Sequence, residues 1–352
     1  MTAAQNIPDG GTVNPDLDTR PHAIVIGSGF GGLAAAIRLG ARGYRVTVLE
    51  KLDKPGGRAY VYQQDGFTFD AGPTIITAPF LLEELWSLCG RRFADDIDLR
   101  PMDPFFRIRF DDGRIFDYSG DREKTLAQIR DFNPEDVAGY LDYLKASEKR
   151  YRVGFERLGF KSFDRLWELI RFLPQLIRLR SDRSVYQLVS SYIQDPHLRQ
   201  VMSFHPLLIG GNPFNVTGIY SLISYLEQQF GVWSAMGGTG SLVTGMANLI
   251  TGQGSRIRLN TAVDEIVVEG GRATGVKLAN GESLDADIVV SNADAAWTYR
   301  HLIAEQHRRR WTNRRIDNAA YSNGLFVWYF GTSKRYEDIP HHMVILGPRY
   351  EG

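Results

Sequence analysis

The stretch from His22 to Glu50 constrains this chain more than any other. His22-Ala-Ile-Val-Ile26 is a short apolar run of the kind that forms a buried strand. It leads directly into Gly27-Ser-Gly29-Phe-Gly31-Gly32, after which Leu33, Ala34, Ala35, Ala36, Ile37 and Leu39 recur on a helical period. Arg45-Val-Thr-Val-Leu-Glu50 then reads as a second strand ending in an acid, 21 residues past Gly29. Strand, glycine turn, helix, strand and acid together describe a dinucleotide cradle. Gly27 permits the turn, Gly29 lets the backbone approach a pyrophosphate, and Gly32 lets the helix pack on the sheet. The helix amino terminus offers aligned N–H groups to the phosphates, and Glu50 stands where a ribose hydroxyl is held.

Bulk composition narrows the rest. A length of 352 residues suits about two domains. Lys plus Arg equals Asp plus Glu at 41 each, so the overall charge gives no reason to expect nucleic acid. A single cysteine, Cys89, excludes internal disulfides and thiolate metal clusters and fits a reducing compartment; no metal site is expected. The first 20 residues are polar, with Pro8, Gly10, Gly11 and Pro15 but no apolar core, and read as a disordered tail rather than a signal peptide. The uncharged run Gln200–Leu226 is long enough to cross a bilayer, but Pro206, Gly210, Gly211, Pro213 and Gly218 interrupt it, so it reads as a buried lining segment. His205 within that run reads as a satisfied core histidine.

Charge is uneven along the chain. Residues 141–183 carry 11 Lys/Arg against 6 Asp/Glu, interleaved with Phe155, Phe160, Trp167, Ile170, Leu173 and Ile177. This basic, apolar segment fits either a helix lying on an anionic bilayer or a helical pair with its cations in water. Asp164, Glu168, Arg171, Gln175 and Arg178 share one polar stripe there, and Glu168 and Arg171 are spaced to pair. That stripe reads either as a solvated face or as a charged pair set against an apolar channel. A second cluster, Arg300, His301, His307, Arg308, Arg309, Arg310, Arg314 and Arg315, fits lipid or nucleic-acid phosphates in principle and a solvated helix face more simply.

Further motifs extend the cradle. Lys54-Pro-Gly-Gly57-Arg58 follows the second strand, and Phe67-Thr-Phe-Asp-Ala-Gly-Pro73 opens another turn. A nicotinamide unit needs neither, whereas Gly-Gly-Arg beside the phosphates supplies backbone donors and a guanidinium for a second phosphate or a flavin oxygen. Arg256–Val290 reads as a β-meander, with turns at Gly270-Gly271 and Asn280-Gly281. Here the sequence resembles the FAD-dependent, amine-oxidase-like superfamily. It resembles more closely the bacterial and fungal type of phytoene desaturase through Pro55–Tyr62, Gly66–Thr74, Phe132-Asn-Pro134, Ser203–Phe214, Gly231-Val-Trp233, Gly237–Gly240, Ser291-Asn-Ala-Asp294 and Gly347–Tyr350. The likeness runs from about His22 to the last residue.

That resemblance implies FAD as cofactor, with Gly27, Gly29, Gly31, Gly32, Glu50, Lys51, Gly57, Arg58 and Val263 as its contacts, Val263 through its backbone to the adenine. It implies the stepwise dehydrogenation of CH–CH bonds in phytoene toward neurosporene or lycopene, with peripheral contact to lipid on the cytoplasmic side of the cell membrane. Loss of a hydride from an allylic carbon leaves positive charge, for which Glu168, with Arg171, is the candidate stabilising or proton-accepting pair. Members of the family continue into a carboxy-terminal glycine-rich stretch that completes the flavin pocket, and nothing like it occurs before Gly352, so the chain reads as a shortened member. A related carotenoid desaturase or isomerase, an amine oxidase, or a non-catalytic flavin- or carotenoid-binding chain are the competing readings, and a homo-oligomer is compatible with all of them. The expected fold is α/β. A Rossmann-like FAD domain with the β-meander comprises residues 20–90 and 230–295. An inserted mixed α+β, mainly helical substrate or membrane domain comprises 91–229 and 296–352, with Leu325-Phe-Val-Trp-Tyr-Phe330 as a strand.

Overall fold

The computed structural model describes residues 19–162, 166–322 and 324–350; the expected amino-terminal tail lies almost wholly outside the described residues. The chain divides into two compact units, Met1–Arg100 with Ser234–Ala320, and Pro101–Trp233 with Tyr321–Gly352.

In the first unit, His22–Ile26 (β1) pairs in parallel with Arg45–Leu49 (β2) on one side and Ile288–Ser291 on the other, and Arg256–Arg258 extends the sheet beyond β2. β1 is buried on both faces, which its unbroken apolar run requires. Ala23 and Val25 point into a core shared with Leu33 and Ile37 of the helix Phe30–Ala41 (α1) and with Met246, Leu249 and Ile250 of the helix Thr239–Gly252. Ile24 and Ile26 point the other way, against Ile266, Val276, Leu278 and Leu302. The layers are therefore helices, parallel sheet and antiparallel meander.

The meander is smaller than its sequence pattern indicates. Only Val263–Glu269, Arg272–Leu278 and Ser283–Asp285 form it, in that order and antiparallel. The flanking strands 256–258 and 288–291 belong instead to the parallel sheet, because their partners are β2 and β1 rather than their neighbours in sequence. This unit also reaches further along the chain than its motifs mark. Phe93 and Ile97 pack with Trp86 in the first core cluster. Leu302 fills the second cluster, and the Thr298 hydroxyl lies 2.8 Å from that of Ser291. Residues 91–100 and 296–320 thus sit with the nucleotide-type fold rather than with the inserted unit.

The second unit is mixed. A three-stranded sheet, ordered Met343–Ile345, Phe106–Arg109, Ile115–Tyr118, packs Phe106 edge-on against Phe204. The helix Asp136–Tyr151 buries Tyr140 and Tyr143. Asp136 accepts from the backbone N–H groups of Gln194 and Asp195 at 2.6 and 2.8 Å and from the Asn133 amide at 3.0 Å, which anchors the Phe132-Asn-Pro134 motif. The expected strand Leu325–Phe330 does not form: the segment joins no β-ladder among the described residues, and Phe326 is 93% exposed. Strand propensity alone cannot hold such a segment without a ladder to join. The run Gln200–Leu226 is likewise only partly internal. His205 is buried, whereas Leu207, Leu208 and Ile209 are exposed on one short turn.

Candidate cofactor site

The chain reverses at the end of β1 on Gly27, whose φ of +89° is in the left-handed region, and the Gly27 N–H donates to the Leu49 carbonyl at 2.8 Å. β1 lies between β2 and strand 288–291, both parallel to it, so the turn after β1 and the turn after strand 288–291 meet at the carboxyl end of the sheet, where a crevice forms. α1 starts in this crevice. Its N-cap is Gly29, with no side-chain cap and no acid in the first turn, so the positive end of the helix has no side-chain acceptor of its own.

The glycines are there because nothing larger fits. A Cβ on Gly32 would lie 2.0 Å from the Gly27 carbonyl oxygen, and one on Gly31 would lie 2.5 Å from Asn292 Oδ1. Gly57, with φ +57°, would place a Cβ 3.0 Å from the Gly29 Cα. The Gly56 N–H donates to the Ser28 carbonyl at 3.0 Å, so the second glycine pair is stacked directly on the first turn. Gly72 continues the series, its would-be Cβ 2.4 Å from the Arg58 carbonyl oxygen. Gly238 ends it beside the Asp70 carboxylate, at the start of the helix Thr239–Gly252.

Glu50 is 4% exposed and fully engaged on one side. Its Oε2 accepts from the Ser28 N–H at 2.9 Å and the Ser28 hydroxyl at 2.6 Å, and its Oε1 accepts from the Leu52 N–H at 2.9 Å. A carboxylate has about four acceptor positions, so one on Oε1 remains for a ligand hydroxyl. The backbone next to it is pinned, with Thr261 N–H donating to the Glu50 carbonyl at 2.7 Å and Asn260 N–H to that of Leu52 at 2.9 Å. Val263 follows two residues after Thr261 and pairs with Leu278 at the start of the meander. Arg58 is exposed on the short turn Gly57–Ala59, and Lys51 is exposed directly after the acid.

Asn292 is the residue that motif reading passed over. It follows strand 288–291, its N–H donates to the Ile26 carbonyl at 2.8 Å, and its side chain fills the space over Gly29, Gly31 and Gly32. The only signal in sequence is its place in Ser291-Asn-Ala-Asp294; the pairing that brings it to the turn is non-local. The cradle, the uncapped helix end and the half-used acid fit the ADP portion of a dinucleotide cofactor.

The proposed charged pair stands elsewhere, in the second unit. The helix Leu166–Arg178 carries it; Arg171 is exposed, and the Glu168 side chain lies outside the described residues. Trp167, Ile170, Leu173 and Ile177 are exposed on the same helix at spacings of three and four, which makes one apolar stripe. His205 Nε2 lies 2.9 Å from Glu227 Oε2, with both residues buried, which is the arrangement of a satisfied core histidine.

The profile of the family described as "Flavin containing amine oxidoreductase" matches residues 30–343. Phytoene desaturase (neurosporene-forming) of Cereibacter sphaeroides is 51% identical over 344 residues, covering 97% of this chain and 66% of its own length. Phytoene desaturase (lycopene-forming) of Pseudescherichia vulneris is 47% identical over 327 residues, covering 93% and 66%. The chain thus spans slightly less than two thirds of the length of these curated relatives. Among solved structures, a Pyrococcus furiosus protein superposes with a TM-score of 0.60 at 19% identity, covering 85% of this chain and 66% of its own. A putrescine oxidase variant superposes with a TM-score of 0.54 at 17% identity, covering 81% and 60%. These two likenesses concern the fold.

Proposed function

The chain belongs to the flavin containing amine oxidoreductase family, and on that premise we propose that it serves the FAD-dependent desaturation of phytoene toward neurosporene or lycopene. The observation that carries this reading is the 51% identity, sustained over 344 residues, to a neurosporene-forming phytoene desaturase. When bound, FAD supplies the two-electron acceptor that no side chain can provide. The protein residues then have three tasks: to hold the cofactor, to admit an apolar chain, and to offset charge.

For the first task we assign the α1 amino terminus, with Gly27, Gly29, Gly31 and Gly32, to the pyrophosphate. Glu50 Oε1 takes a ribose hydroxyl, the Val263 backbone meets the adenine, and Gly57, Arg58 and Lys51 complete the rim. For the second, the apolar stripe of the helix Leu166–Arg178 supports peripheral docking to the cytoplasmic face of an anionic bilayer, where a polyene dissolves. Trp167 is 70% exposed there, and Lys161, Arg171, Arg178 and Arg180 flank the stripe. For the third, Glu168, three residues before Arg171 in sequence, is the proposed carboxylate opposite the electron-poor allylic carbon, where it would stabilise charge or take the proton.

The test is reconstitution of the purified chain with FAD and phytoene-loaded anionic liposomes, followed by chromatography of the extracted pigments. Coloured polyenes formed only with FAD support the reading. Flavin binding without any coloured product, both from this chain and from one extended to the length of its relatives, refutes it. Unchanged turnover in Glu168→Gln removes that residue from the mechanism and leaves the rest intact.

A further inference from the structure

Among the described residues, the obstacle to a side chain at Gly31 is Asn292. Gly31 lies in the first turn of α1 with an ordinary helical backbone, a place where glycine is a poor helix former. A Cβ there would meet Asn292 Oδ1 at 2.5 Å and Asn292 Cγ at 3.5 Å, and nothing else beyond its own turn of helix within 4 Å. Gly32 differs, because the Gly27 carbonyl oxygen, 2.0 Å from its would-be Cβ, excludes a side chain whatever stands at position 292. Asn292 Nδ2 also lies 3.0 and 3.2 Å from the Cβ positions of Gly29 and Gly32. The start of α1 is therefore cut back to seat one amide.

The seat is rigid. Asn292 directly follows the ladder of strand 288–291 on β1, and its backbone N–H donates to the Ile26 carbonyl at 2.8 Å. Two residues on, the Asp294 carboxylate accepts from the Ala296 and Trp297 N–H groups at 2.9 and 3.1 Å and caps the next turn. The Asn292 amide, with two donor hydrogens and an acceptor oxygen, makes no side-chain hydrogen bond among the described residues. Asn292 is half-buried, so a ligand can reach that amide. A plain filler of this space would be better made of carbon, which has no hydration to lose. A donor held in place but unused, beside a helix amino terminus with no side-chain cap, suits an anion, since both offer N–H groups to it.

We propose that Asn292 is a cofactor-binding residue, its side-chain amide donating to the pyrophosphate of FAD alongside the N–H groups of α1. The assignment rests on the FAD reading above and adds to it a contact that comes from a distant strand rather than from the glycine motif. Gly31 then serves the cofactor through Asn292, by leaving room for the amide.

Fluorescence titration of the cofactor-free full chain with FAD tests this without turnover. Removing one hydrogen bond to a charged group weakens binding by about ten- to hundredfold, so Asn292→Ala and the similarly branched Asn292→Leu should each lose that much. Gly31→Ala, which displaces the amide, should lose as much by itself. Because both changes remove the same contact, Gly31→Ala/Asn292→Ala should bind FAD no more weakly than Asn292→Ala. In phosphorus NMR at saturating FAD, a pyrophosphate resonance of the bound cofactor should move in Asn292→Ala relative to the unaltered chain, which loss of a shape-filling residue would not cause. Affinities within threefold of the unaltered chain in both Asn292 variants would overturn the proposal and leave the FAD reading standing. So would additive losses in the double variant, or phosphorus resonances that stay in place. Failure of the unaltered chain to bind FAD at all would remove the FAD reading and this proposal together.

Discussion

Replacing Gly32 by Ala tests the cradle at its tightest point. The new Cβ would lie 2.0 Å from the Gly27 carbonyl oxygen, against 3.4 Å where ordinary contact begins, and Asn292 closes the other side at 3.1 Å. α1 must therefore retreat from β1 by about 1.4 Å, because neither obstacle is the free end of a flexible side chain. A donor that reached a phosphate oxygen at about 2.9 Å would then stand beyond about 4 Å, outside hydrogen-bond range. Losing one or two charge-assisted bonds of about 1.5–3 kcal/mol each corresponds to a drop in FAD affinity of about tenfold to ten-thousandfold. The control is Gly43→Ala, where φ is +88° but nothing lies within 4 Å of the added carbon. It should cost about 1 kcal/mol of stability through backbone strain and leave FAD binding alone. The assay is titration of FAD fluorescence with cofactor-free protein, alongside thermal unfolding. If the two variants bind FAD within threefold of each other, the account of the glycine cradle is wrong.

Glu50→Gln places an amide donor against the Ser28 or Leu52 donors, so it should lower the thermal midpoint and weaken FAD together, at about 2 kcal/mol of stability. Loss of affinity with no loss of stability would contradict the bonding described here. Glu227→Ala strands the buried His205 and should cost about 3 kcal/mol or more, whereas His205→Leu/Glu227→Leu should recover part of that in denaturant titration. Burial, with His341 adding to it, lowers the His342 pKa from 6.5 to about 4. The fold therefore prefers the neutral ring: its contribution is complete above pH 6.5 and is lost as pH falls toward 4, by no more than about 2 kcal/mol after solvent screening. His342→Gln should flatten that part of the stability profile, and an unchanged slope would exclude His342 as its cause. Trp167→Glu/Ile177→Glu should reduce sedimentation with phosphatidylglycerol vesicles at least tenfold, and undiminished sedimentation would remove the helix Leu166–Arg178 as the docking element.

The dinucleotide cradle is legible in sequence because its causes are local. A positive φ at Gly27, a close approach at Gly32 and an acid at the end of β2 depend on residues within thirty positions of one another, and each restricts the residue type directly. The apolar periodicity of β1 and α1 follows from the same short-range geometry. What only the tertiary structure decides is pairing between distant segments. Strands 256–258 and 288–291 have the alternation of a meander, yet join β2 and β1, since a strand's pattern shows which face is buried and not which neighbour it bonds. Asn292 reaches the glycine turn only through that choice. Leu325–Phe330 has the strand composition but no ladder, so its apolar side chains stand in solvent. Whether a basic, apolar helix hides or shows its apolar stripe is equally invisible in its own residues, because exposure depends on what the rest of the chain stacks against it.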